Sequence, residues 1–80
     1  MKHFRQDYQE RIVDLANKIP ADEPVALFRA QDEYAVVAVC AYLDAIRSDA
    51  GVSRDMVARM EQMLCAFYDW PKKKLPDAPG

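Results

Sequence analysis

The sequence predicts an all-α fold: a small three-helix domain with one short extra element of undecided type. Three observations lead there. Glycine is scarce, with two residues among 80, while alanine, leucine and methionine are plentiful, and that balance favours helix over strand. Apolar residues recur at spacings of three and four in three separate stretches, the signature of helices with one buried side. Proline or glycine punctuates the gaps between those stretches.

The first helix is expected over about Phe4–Lys18. Phe4, Tyr8, Ile12, Leu15 and Ile19 form its stripe, and Pro20 ends it by removing a donor and restricting Ile19. Asp7 with Arg11 and Asp14 with Lys18 are favourable i,i+4 pairs on the wet side. The run from Val25 to Ala30 has two readings. Pro24 and Asp22 suit the first turn and cap of a short helix. The run is also short and apolar enough for a strand, and a lone strand would look for its partner in a second chain.

The second helix is expected from Glu33 to about Ser48, with Asp32 as N-cap. Tyr34, Val37, Ala38, Ala41 and Ala45 make one face, and Val36, Val39, Cys40, Leu43 and Ile46 another. A helix apolar on two faces is central, or offers one face to a partner. A homodimer would cover that face and the Val25 run together. Gly51 is expected to close the helix in a left-handed conformation. The third helix starts after Ser53 as N-cap, with Asp55 suiting the dipole. Its stripe is Met56, Met60, Met63, Leu64 and Phe67, and Trp70 and Pro71 end it. Residues 1–70 are thus one helical domain, and 71–80 form a mobile, basic, proline-containing tail.

Composition bounds function. With 51% hydrophobic and 30% charged residues, the chain folds rather than staying disordered. The formal net charge is −2. Setting aside Lys72, Lys73 and Lys74 leaves −5 for the rest, so the body is acidic and repels phosphate. Direct nucleic-acid binding is therefore not expected of it. Cys40 and Cys65 read as reduced, buried thiols, and no uncharged run is long enough to span a membrane.

No catalytic, cofactor or metal constellation is legible. His3 is the one histidine and lacks partners at ligand spacing. Asp7, Glu10 and Asp14 share a helix face, and Asp22, Glu23, Asp32 and Glu33 lie around the following loop. These seven carboxylates are the candidate partner-binding residues, although a solvated helix face accounts for such spacing equally well. The run from Ala50 to Arg59 resembles the turn and recognition helix of helix-turn-helix regulators, with glycine for the turn, Ser53 as cap, and Arg54 and Arg59 placed for a major groove. An ordinary glycine stop followed by a serine cap has the same residues.

Two further segments carry a family resemblance. The run Glu23–Asp32, E-P-V-x-L-x-R-A-Q-D, and the W-P-x-K-K tail from Trp70 to Lys74 resemble a group of small accessory proteins encoded by bacteriophages and prophages. The resemblance implies a bacterial cytoplasmic setting. By analogy of size and origin, it implies an inhibitor that binds a bacterial defence complex of the CRISPR-Cas type. It assigns no residue a role.

Overall fold

A computed structural model describes residues 1–76. These are mainly helical, as expected, with a small two-stranded parallel sheet beside the helices, so the fold is mainly helical rather than clearly all-α. In chain order the elements are β1 (Lys2–His3), α1 (Gln6–Gln9), β2 (Pro24–Val25), α2 (Ala35–Arg47) and α3 (Arg54–Asp69). They fall into two compact units, Met1–Leu27 and Phe28–Pro76.

In the N-terminal unit the long first helix does not form. Only four residues, Gln6–Gln9, are α-helical, and Ile12 N–H to the Tyr8 carbonyl at 2.9 Å is the last bond of helical spacing. Two side chains explain the stop. The Asp14 carboxylate accepts from the Ile19 amide at 2.7 Å, and Asn17 sits at φ 54°. Short polar side chains offer the backbone bonds that compete with a helix, and asparagine tolerates left-handed geometry. The stripe also finds little to bury against: Tyr8 is buried, but Phe4 is 87% and Leu15 94% exposed.

The Val25 run is a strand only at Pro24–Val25, and its partner lies in the same chain. β1 and β2 pair in parallel with Lys2 opposite Pro24 and His3 opposite Val25. The Lys2 amide donates to the Glu23 carbonyl at 2.8 Å. Pro24 has no donor to give, which a two-stranded sheet tolerates because each strand is an edge.

His3 is not at a fraying end. It is buried, its Nε2 lies 3.1 Å from the Ile12 carbonyl, and its ring meets Tyr8 edge-on at 6.2 Å. Facing a carbonyl oxygen, Nε2 is the donor, and Nδ1 is buried with no partner among the described residues. Arg5 lies over the other side of this cluster, 5.0 Å from the Tyr8 ring centre.

The second unit is a helical hairpin. α2 begins two residues later than expected, because Asp32 Oδ1 binds the Tyr34 amide at 2.8 Å and makes a turn before the helix proper. α3 matches its expected start, with Ser53 Oγ accepting from the Met56 amide at 3.1 Å, and it ends at Trp70. Leu43, Ile46 and Val57 are the buried centre, with Val52, Met56, Met60 and Leu64 packed around them. Gly51 is not left-handed. Its amide donates to Asp49 Oδ1 at 2.8 Å, and a Cβ there would come within 3.2 Å of that same oxygen, so glycine supplies clearance rather than a special φ.

Residues 71–76 carry no helix, as expected, but they are tied down. Lys74 bridges Asp32 in parallel, exchanging bonds with the Gln31 carbonyl at 2.6 Å and the Glu33 amide at 3.0 Å. The Lys73 ammonium donates to the carbonyls of Ala30 and Phe67. A cation at the last carbonyls of α3 complements the helix dipole and satisfies acceptors left open there. Residues 77–80 of the expected tail lie outside the described residues.

Candidate functional site

The seven carboxylates singled out from sequence divide into two kinds. Asp7, Asp14 and Asp32 are committed to local structure. Asp7 receives a two-pronged contact from Arg5, with Nε to Oδ1 at 3.0 Å and Nη2 to Oδ2 at 2.9 Å. The bond from that guanidinium holds the Asp7 carboxyl below its ordinary value. Asp14 closes the loop onto Ile19, and Asp32 forms the turn before α2. Because α1 ends at Gln9, the helix face expected to gather Asp7, Glu10 and Asp14 does not exist.

Glu10, Asp22, Glu23 and Glu33 are the other kind. All four are exposed and make no ion pair among the described residues. Glu10 closes α1, and Asp22 and Glu23 lead into β2. Glu10, Asp22 and Glu23 belong to the N-terminal unit and Glu33 to the second. Among the described residues, no group of three or more histidine, cysteine or acidic side chains is placed to hold a metal ion.

The cysteines differ from expectation in burial. Both are free, but Cys65 is exposed and Cys40 half-buried. Cys65 lies on the side of α3 turned away from Met56, Met60 and Leu64, beside Glu61, Gln62 and Asp69 on a shallow open surface. Cys40 Sγ is 3.9 Å from the Tyr68 hydroxyl. That contact, and charge on the sulfur, push the Tyr68 phenol up from its ordinary value. The methionines take the core role for Met56 and Met60.

The helix-turn-helix pattern folds as a helical hairpin in which Arg54 is exposed and Arg59 is engaged by a neighbouring carboxylate. Arg59 Nε is held by Asp55 at 2.8 Å, and Arg47 lies 3.6 Å from Glu61. Asp69 adds a further carboxylate to that helix. Carboxylates beside the arginines offset the attraction that phosphate contacts require.

Sequence reasoning missed His3, Arg5 and Lys73 as residues that organise their neighbourhoods. Lys73 had a readable signal, a basic residue just beyond a helix end. His3 had none, since its partner carbonyl, Ile12, belongs to a loop that the periodicity assigned to helix. No helix among the described residues is long and apolar enough to cross a membrane. Comparison with family models, with curated proteins and with solved structures gives no match to this chain.

Proposed function

We propose that this chain is a non-enzymatic inhibitor of phage origin, acting in the bacterial cytoplasm by occupying a surface of a CRISPR-Cas defence complex. The origin rests on the resemblance of the Glu23–Asp32 run and the Trp70–Lys74 segment. The observation that supports the mode of action is the set of exposed, uncommitted carboxylates. Glu10, Asp22 and Glu23 stand in one unit, which among the described residues is Met1–Leu27. Complexes that handle nucleic acid expose arginine and lysine, and complementary charge speeds encounter and sets specificity. A net charge of −2 is weak beside the charge density of a duplex, so the reading is of an acidic contact patch and not of wholesale DNA mimicry.

The test is the triple variant Glu10→Lys, Asp22→Lys and Glu23→Lys. Exposed positions tolerate substitution, so its circular dichroism should match the parent. The tagged parent should retain the CRISPR-Cas effector complex from a bacterial lysate, and the variant should bind it at least about tenfold more weakly. Equal retention by both proteins would refute the acidic patch.

A further inference from the structure

The two apolar faces of α2 meet different fates. Val39, Leu43 and Ile46 are buried. The opposite side is left bare: Tyr34 is 61%, Val37 63% and Tyr42 50% exposed, and Ala41 and Ala45 are exposed between them. Tyr34, Val37, Ala38, Ala41, Tyr42 and Ala45 follow the spacing i, i+3, i+4, i+7, i+8, i+11, so they form one continuous stripe. None is charged. Glu33 precedes the stripe and Asp44 borders it, and Asp44 is paired with Arg47, which also meets Glu61.

We propose that this stripe is the interface of a two-fold-symmetric homodimer, in which α2 of one copy packs antiparallel on α2 of another. The size pattern is what selects a second copy. A two-fold axis midway between Val39 and Cys40 sets Tyr34 against the partner's Ala45, Val37 against the partner's Tyr42, and Ala38 against the partner's Ala41. Every member of the stripe then meets another member, Tyr34 an alanine and Tyr42 a valine. That is the self-complementarity an isologous interface demands. The small residues near the axis allow close approach of the two helices. Because the stripe is uncharged, the acidic bodies do not oppose each other within it.

The area fits a weak dimer. Tyr34, Val37 and Tyr42 expose roughly 300 Å² of side chain per copy. Two copies with the intervening alanines offer at most roughly 900 Å², the size of a weak, transient contact. The inference is independent of the proposed inhibitory function.

Sedimentation equilibrium of the full chain decides it. The mass should climb from 9.1 kDa toward twice that value across micromolar to high micromolar concentrations. Ala45→Tyr sets tyrosine against Tyr34 and should weaken association at least tenfold. The double variant Tyr34→Ala/Ala45→Tyr exchanges the two sizes and should restore association to within a few-fold of the parent. Ala41→Glu adds charge beside the axis and should hold the chain monomeric with its circular dichroism unchanged. A monomer mass at every concentration would overturn the proposal. So would parental association of Ala45→Tyr or Ala41→Glu, or a double variant no tighter than Ala45→Tyr.

Discussion

Leu43→Ala should remove about 3 kcal/mol of stability. Leu43 is 1% exposed, and the buried centre it shares has two other members, Ile46 and Val57. Deleting its branched end loses the transfer free energy of those atoms and leaves a void that two helices joined by a short turn cannot easily close. A chain of this size has a total stability of only several kcal/mol, so that loss is a large part of the whole. Urea unfolding followed by circular dichroism should show the midpoint fall by about half. A loss below about 1 kcal/mol would mean that the packing of α2 on α3 is not what stabilises the hairpin.

Tyr8→Ala should be as damaging to the N-terminal unit, costing about 3–4 kcal/mol. Among the described residues of that unit only Tyr8 and His3 are buried, and Tyr8 is the ring against which both His3 and Arg5 rest. With the ring gone, the His3 bond to Ile12 and the β1–β2 pairing lose the surface that shields them from water. The readout is amide hydrogen exchange at Lys2 and Ile12, whose N–H groups bind Glu23 and Tyr8 carbonyls. Both should exchange at the rate of an unstructured chain. Protection at either amide equal to the parent would show that the ring is not the centre of the unit.

The hairpin was legible because its signals are local and agree with one another. Ser53 caps the helix it precedes, the methionine and leucine stripe points to the core, and Trp70-Pro71 stops α3. The two-faced character of α2 was also visible, though neither predicted face held the exposed Tyr42 or the fully buried Ala35. The first 27 residues were not legible for a physical reason. Phe4, Tyr8, Ile12, Leu15 and Ile19 have helical spacing, but periodicity counts apolar positions and ignores Asp14, whose carboxylate closes a loop, and Asn17, whose backbone turns left-handed. A four-residue helix has no stability of its own and exists through its contacts with β1. The sheet itself joins residues more than 20 apart in sequence, a pairing that no short-range pattern reveals.

Helical spacing misjudged how the acidic residues are arranged. Expecting a long helix put Asp7, Glu10 and Asp14 on one face. The loop sends Asp7 to Arg5 and Asp14 to the Ile19 amide, leaving Glu10 with Asp22 and Glu23 as the uncommitted carboxylates of that unit. Because its carboxyl is held below the ordinary value, the contribution of Asp7 is complete above the ordinary value and is lost as pH falls from there through the lowered one.

Inhibition of a CRISPR-Cas complex is tested most directly in a living host. A bacterium with an active system and a spacer against a given phage is challenged with that phage while expressing this chain. The expected result is restored plating with the parent chain and no restoration with the Glu10→Lys, Asp22→Lys, Glu23→Lys variant at equal protein level. Plating that stays fully suppressed in the presence of the abundant, folded parent chain would contradict the proposed function.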